Sequence, residues 1–148
     1  MSNTTAELAL DGIGQDGRRF HVPVDGGSEI FAGGFVATLI ATGMLVPFTT
    51  AGAGPAIGKA THSIDNTGGS DGDERCMIET DRVYRVTNGT AGDAFSEATP
   101  LYSPVYGSDD HTACDNDNGG TRQYMGVFMG MEDDGKVRVR VNPALAEI

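Results

Sequence analysis

The chain has no tryptophan, only two lysines and only two cysteines among its 148 residues. Two cysteines, Cys76 and Cys114, are too few for the disulfide framework that stabilises many small secreted domains. The sequence leaves their pairing open, and we expect two free thiols. Basic residues are also scarce: 10 stand against 21 acidic ones, which gives a net charge of −11. Because such a chain repels a nucleic-acid backbone, we expect no nucleic-acid partner.

We also expect neither a membrane span nor an export signal. Its first ten residues have neither a basic segment nor an apolar one, so we expect no signal peptide. An uncharged apolar stretch, residues 30–48, contains Gly33, Gly34, Gly43 and Pro47. It predicts a β-hairpin that turns at Thr42-Gly43, not a membrane helix, and we expect no membrane partner.

Glycine is abundant, with 22 residues, about twice the usual ~7%. Each glycine inside a helix costs about 1 kcal/mol relative to alanine, so long helices are disfavoured. Short apolar segments recur at 8–12-residue spacing between Gly/Asp turns, which is typical of a barrel or sandwich. We therefore predict an all-β fold of about nine short strands, with at most one short helix.

The chain divides into an extended N-terminal arm at residues 1–17, a single β domain at 18–142 and a tail at 143–148. Residues 18–24 predict an edge strand, because Pro23 cannot donate to a ladder; Phe20 would share its inner face with Val22 and Val24. Asn88-Gly89 predicts a turn and Asp93 caps a short helix within residues 92–98. Residues 107–120 predict a solvated acidic loop. Further predicted strands are residues 35–40 with 44–46, 57–64, 76–78 with 83–86, 124–131 and 137–141.

Two sequence motifs resemble ligand sites without completing them. Gly12 to Gly17 matches G-x-G-x-x-G, but an extended segment follows it where a dinucleotide site needs a helix. Asp115 and Asp117 resemble the start of a calcium loop, although Gly126 stands where the bidentate glutamate belongs. These two aspartates are the best candidates for a weak cation site, and we predict no resident metal or cofactor.

No motif for catalysis stands in the context that its chemistry needs. The G-x-S-x-G match at Gly68 to Gly72 lies in a polar, Gly-rich loop and not at the strand-to-helix turn of a nucleophile elbow, and neither cysteine has the neighbours of a nucleophile. His111 and Cys114 have H-x-x-C spacing, but too few further nitrogen or sulfur ligands remain for structural zinc. We predict that the protein is not an enzyme.

Partner-binding candidates are arginines and an aromatic residue. Arg138 and Arg140 share one face of the last strand, where they form either an exposed polar face or a row that meets a partner's carboxylates. Arg18 and Arg19 stand at the root of the arm. Phe20 lies beside them and is placed either in the core or in a subunit interface, as are Phe31 and Phe35.

The order of several segments resembles the small head-decoration, or cement, proteins of tailed bacteriophages. In that family a G-x-x-V strand, an I-G-x-A strand, a DN plus Gly-rich loop, a V-Y-x-x-D-D segment and a closing D-D-G hairpin recur in this order. The corresponding segments here are residues 34–36, 57–60, 65–69, 105–110 and 126–141.

This resemblance implies a β-barrel or β-tulip-like subunit on the outer surface of an icosahedral shell. Its expected partners are the major capsid protein and itself, as a trimer at local threefold axes or as a dimer. The expected location is the outside of the virion, after synthesis in the host cytoplasm. A β-barrel module that binds carbohydrate or a host surface is the alternative, with Tyr84, Tyr102, Tyr106 and Tyr124 as stacking faces.

Overall fold

The fold is all-β, as predicted. The computed structural model describes residues 18–141, in which twelve short strands form a five-stranded sheet, a closed five-stranded barrel and a two-stranded ribbon. The predicted arm, the G-x-G-x-x-G motif and the tail lie outside the described residues. The strands are β1 (Arg18–Pro23), β2 (Glu29–Ile30), β3 (Phe35–Thr38), β4 (Leu45–Pro47), β5 (Gly58–Ala60), β6 (Ile64–Asp65), β7 (Arg75–Thr80), β8 (Arg82–Asn88), β9 (Pro104–Gly107), β10 (Thr112–Cys114), β11 (Gln123–Met131) and β12 (Val137–Val141).

The five-stranded sheet has the order β1-β7-β5-β3-β4, and all of its neighbours are antiparallel. β1 lies at the edge, as Pro23 predicts. Val22 and Val24 are buried, whereas Phe20 is 44% exposed. Its predicted place in the core is therefore wrong, because an edge strand is covered by a neighbour on one side only. Phe31 is exposed as well, and only Phe35 of the three candidates is in the core.

The barrel closes in the order β10-β8-β12-β11-β9. β12 alternates as its sequence predicts: Val137, Val139 and Val141 are fully buried, and Arg138 lies on the outer face. The rings of Phe95 and Phe128 stack inside at 4.8 Å between centroids. Because alternate residues of a strand face opposite sides, the barrel interior takes the valines and the outer wall takes the arginines.

Two apolar clusters hold the chain together. The first fills the barrel and includes Phe35 and Phe48 from the β3–β4 region, so the sheet packs one face against the barrel. The second covers the other side of the sheet, where Ile30, Leu45 and Ile78 are its largest members. β2 and β6 form the small ribbon beside this second cluster.

Five local predictions need correction. Residues 57–64 form two strands of different sheets, β5 and β6. The strands predicted around 76–78 and 83–86 do not pair with each other, because β7 belongs to the sheet and β8 to the barrel. Asp81 lies between them, and its φ of 58° changes the direction of the chain. The helix predicted at 92–98 is a single 3-10 turn, Ala91–Asp93, in which Asp93 is not the cap.

The other two corrections concern the Asn88-Gly89 turn and the acidic loop. Asn88 ends β8, and its side chain bonds the backbone nitrogen and oxygen of Phe95 at 2.9 and 3.0 Å. No hairpin forms there, because the Gly89 nitrogen bonds the Ala113 carbonyl at 2.8 Å. Ala113 lies in β10, a buried barrel strand inside the predicted loop. Cys114 beside it and Cys76 of β7 are both buried and free.

Candidate interaction surface

Two arginines of β8 lie three residues apart, and each shares a glutamate with a second arginine. Arg82 Nη1 donates to Glu79 Oε2 at 3.0 Å, and Arg19 Nη2 of β1 donates to the same oxygen at 3.1 Å. Arg85 Nε donates to Glu132 Oε1 at 2.8 Å, and Arg138 Nε donates to the other oxygen of Glu132. Each group of three holds two guanidinium ions around one carboxylate and keeps a net positive charge.

These two groups line adjoining depressions that we call the arginine groove. One depression, of about 620 Å³, is lined by Arg82, Val83, Tyr84, Arg85, Glu132 and Arg138. The next, of about 420 Å³, is lined by Arg19, Gly33, Lys59, Ala60, Thr61, Glu79 and Tyr84. Tyr84 belongs to both, so the groove runs from the barrel to the sheet. Five cations and two carboxylates give these two depressions a net charge of +3 on a chain of −11, and Asp133 and Asp134 line a third depression beside Arg85 and Arg138.

Lys59 is held in the groove by aromatic rings. Its Nζ lies 5.0 Å from the ring centroid of Phe35 and 4.9 Å from that of Tyr84. Burial lowers the pKa of Lys59, the charge of Lys136 lowers it further, and Glu79 partly opposes both. The aromatic faces attract the ammonium group and fix its position.

Tyr84 and Glu79 form the middle of the groove. The Tyr84 hydroxyl donates to Glu79 Oε1 at 3.0 Å. Burial, together with the Glu79 charge and hydrogen bond, raises the pKa of Tyr84 well above its ordinary range. Burial acts to raise the pKa of Glu79, but the hydrogen bonds from Arg19 and Tyr84 and the charge of Arg82 bring it below its ordinary value. The tyrosine therefore stays protonated as a donor, and the glutamate stays ionised.

An exposed apolar turn adjoins one end of the groove. Leu101 and Tyr102 are 57% and 71% exposed. Tyr102 has a φ of 71°, a strained conformation for a residue with a side chain. Its backbone nitrogen donates to Phe128 O at 2.8 Å, which ties the turn to β11. A Cβ atom at Gly130 would lie 3.9 Å from both Leu101 Cδ2 and Arg138 Nη1, so the turn and the groove flank this glycine.

The predicted partner-binding residues are only partly brought together. Arg19 and Arg138 lie in the groove, at its two ends. Arg140 donates to Asp81 Oδ1 at 2.7 Å on the outer wall. Arg18 and Phe20 are exposed on β1. Arg138 and Arg140 were expected to be either solvated or in one row that meets a partner's carboxylates. In the structure each is bonded to a different acidic residue of its own chain, Arg138 to Glu132 and Arg140 to Asp81.

Sequence reasoning missed Lys59, Glu79, Arg82, Arg85 and Glu132. The pair at 82 and 85 is the only local signal, and it predicts no site by itself. The partners come from far along the chain: Arg19 lies 60 positions from Glu79, and Arg85 lies 47 from Glu132. Only the register of β1 with β7 and of β8 with β12 brings them within hydrogen-bond distance.

The acidic loop places its carboxylates in local turns. Asp115 Oδ1 accepts a bond from the Asn116 amide, and the Asp117 carbonyl accepts the backbone nitrogens of residues 120–122. Within residues 18–141 the one group of three side chains close enough to ligate a metal together is Asp109, Asp110 and His111. The backbone nitrogen of His111 donates to Asp109, and its ring nitrogen Nδ1 is hydrogen-bonded to Asp110. A cation at Asp115 and Asp117 stays a prediction.

The four tyrosines do not form one stacking platform. Tyr106 and Tyr124 are cross-strand neighbours with ring centroids 6.3 Å apart. Tyr84 contacts Phe35 instead, at 5.9 Å. Tyr102 lies at the exposed apolar turn.

Comparisons of the chain with protein-family models, with curated proteins and with solved structures gave no match. Across residues 18–141, no helix is long and apolar enough to cross a bilayer.

Proposed function

We propose that the protein is a head-decoration protein of a tailed bacteriophage. It would bind the outer surface of the icosahedral shell and bridge neighbouring major capsid protein subunits. Two features support this proposal: the ordered segments that resemble the family, and an all-β body of short strands around two apolar clusters. Such a body is a firm platform for contacts made by its loops.

The observation that carries the proposal is the apolar turn at Leu101 and Tyr102. Its side chains project from a backbone that is tied to β11, so little freedom remains to be lost on binding. Arg138 lies beside it across Gly130. Tyrosine and arginine are enriched among residues that dominate protein interfaces, and an apolar tip beside a guanidinium group suits a protein surface with carboxylates.

Stabilisation would follow from mass action. A protein that binds only the expanded shell lowers the free energy of that state by RT ln(1 + [L]/Kd) per occupied site. Contacts with two shell subunits by one copy add avidity, because the second contact is made at high effective concentration. The mechanism needs no bond to be made or broken, in keeping with the prediction that the protein is not an enzyme.

Co-sedimentation with mature heads of the virus that carries this gene tests the proposal. Wild-type protein is expected to sediment with the heads up to a saturating number of copies. Leu101→Ser with Tyr102→Ser is expected to weaken binding about tenfold or more, because it removes the apolar anchor. Ile40→Ser is the matched control: Ile40 is an exposed turn residue too, and we expect its loss to leave binding unchanged. Wild-type protein that stays in the supernatant at saturating concentration contradicts the proposal.

A carbohydrate-binding module is the second candidate. A depression of about 530 Å³ is lined largely by hydroxyl and amide groups, among them Thr49, Ser108, Asn118 and Gln123. Tyr106 and Tyr124 adjoin two of its lining residues along the chain. Binding to a glycan array without binding to heads favours this candidate over the first.

A further inference from the structure

The charges of the sheet are separated along β7. Five exposed acidic residues lie where this strand begins, and we call them the acidic end: Glu29, Asp65, Asp71, Asp73 and Glu74. Glu79 and the arginine groove lie where the strand finishes. Six residues at about 3.3 Å each separate the two regions by roughly 20 Å. Eight of the chain's ten basic residues lie in or near the groove, on β1, β5, β8, β12 or at Lys136; the other two are Arg75 and Arg122.

The acidic end is held in a definite shape. Asn66 is 2% exposed and donates to the carbonyls of Val24 and Ser70 at 3.1 and 3.0 Å. Asp71 accepts the backbone nitrogen of Gly26 at 2.9 Å. These bonds join the two loops that carry the carboxylates, so binding would cost little further ordering of the backbone.

The groove keeps hydrogen-bond donors available for a partner. Arg85 is bonded through Nε, and its side chain is 73% exposed. Arg138 is bonded to Glu132 through Nε as well. Within the described residues the terminal amino groups of both arginines make no hydrogen bond, so each can take a carboxylate in the bidentate manner that guanidinium groups favour.

We infer that the arginine groove of one copy binds the acidic end of a second copy. Charge complementarity supports this contact, because the seven charged groups of the groove sum to +3 and five carboxylates cluster on a different part of the same chain. A contact between two different surfaces is heterologous, so each copy offers one free groove and one free acidic end. Such contacts close into a ring or continue as a filament, according to the angle between copies.

This inference deepens the proposed function, since linked copies would hold the shell at several points, but it is tested without shells. Sedimentation velocity at about 0.15 M salt is expected to show oligomers of the wild-type chain. At about 1 M salt, where the screening length falls from ~8 to ~3 Å, they are expected to dissociate. Wild-type protein that is monomeric at about 0.15 M salt, or oligomers that resist about 1 M salt, overturn the inference.

A charge-reversal pair locates the contact. Arg85→Glu is expected to weaken self-association about tenfold or more. Arg75→Glu is the matched control: it changes the net charge equally, but Arg75 is exposed at the acidic end of β7. We expect Arg75→Glu to associate at least as well as wild type, because it makes the acidic end more acidic. Equal weakening by both variants, with unchanged melting temperatures, contradicts the inference.

Complementary variants give the sharpest outcome. Glu29→Lys with Glu74→Lys reverses charges at the acidic end through side chains that make no hydrogen bond within the described residues. This variant and Arg85→Glu are each expected to be monomeric alone and to associate when mixed. Failure of the mixture to associate overturns the inference. Monomers that still sediment with heads leave the proposed function intact, whereas oligomers that ignore heads contradict the proposed function alone.

Discussion

The Tyr84 hydroxyl has one proton to donate, and two acceptors of Glu79 share it: Oε1 at 3.0 Å and the backbone carbonyl oxygen at 3.1 Å. Tyr84 belongs to the barrel and Glu79 to the sheet, so these bonds join the two parts of the fold at the centre of the arginine groove. Lys59 lies over the same tyrosine ring. The position of the groove cations therefore depends on how well this junction is maintained.

Replacing Tyr84 with phenylalanine tests the junction. Tyr84→Phe keeps the ring and its cation–π contact with Lys59 but removes a donor from a carboxylate that is 8% exposed. We expect the free energy of unfolding to fall by about 1.5–3 kcal/mol, the usual range for a hydrogen bond to a charged group. Urea denaturation measures it. The control is Tyr102→Phe, whose exposed hydroxyl should contribute nothing, and equal stability of the two variants contradicts the role of the Tyr84 hydroxyl.

The groove carboxylates predict a loss of stability in acid. The pKa of Glu79 is lowered despite burial by its hydrogen bonds and neighbouring charges, and the pKa of Glu132 is lowered chiefly by the hydrogen bond from Arg138. A carboxyl group whose pKa is lower in the folded state stabilises the fold at pH values above its unfolded pKa, 4.5. This stabilisation is lost as the pH falls through the folded pKa. Urea midpoints should therefore fall as the pH drops below the unfolded value of 4.5. Glu79→Gln should show a smaller drop, and an unchanged drop argues against this assignment.

The buried amide of Asn66 predicts a structural effect at the acidic end. Asn66→Ala removes the donor to three carbonyls, those of Val24, Asp25 and Ser70. Each of these carbonyls keeps a backbone donor, from Gly72, Ser28 and Asp73 respectively. We therefore expect a loss of about 0.5–1.5 kcal/mol for each hydrogen bond of the amide that is removed. Thr67→Ala is the control, because its side chain bonds Asp65 in an exposed turn. Thermal melting compares the two variants, and an equal, small change in both would refute the role given to Asn66.

Gly107 predicts a packing limit inside the barrel. A Cβ atom there would overlap the Phe48 ring and approach the Met125 methyl to 2.9 Å. Overpacking of this kind typically costs 1–3 kcal/mol, so Gly107→Ala should lower stability by about that amount. Gly68→Ala is the control, since a Cβ at Gly68 meets nothing within 4 Å. Chemical denaturation measures the free energy of unfolding of both variants. A Gly107→Ala protein as stable as Gly68→Ala would contradict this packing limit and show that the barrel interior relaxes easily.

Local patterns were sufficient to predict parts of the fold. The alternation of Val137 to Val141 is confirmed, because one strand carries both its inner and outer face in consecutive residues. The β3–β4 hairpin is confirmed as well, because its two strands are close in sequence and are joined by a short turn. β10 was missed because its buried residues, Ala113 and Cys114, are only two and lie among acidic neighbours.

The interaction surface was largely beyond sequence reasoning. Whether Arg138 is solvated or bonded depends on Glu132, which reaches it across the turn between β11 and β12. The contact between Arg19 and Glu79 depends on the register of β1 with β7, which no local pattern specifies. Phe20 alternates correctly with Val22, yet its exposure depends on where the edge of the sheet lies.

The most direct test of the central claim is the temperature at which DNA-filled heads release their DNA. Heads that lack this protein are heated with and without saturating wild-type chain, and DNA release is followed with an intercalating dye. We expect release at a higher temperature with the wild-type chain, and little or no shift with Leu101→Ser/Tyr102→Ser. Release at the same temperature with and without bound wild-type protein would contradict a cementing role.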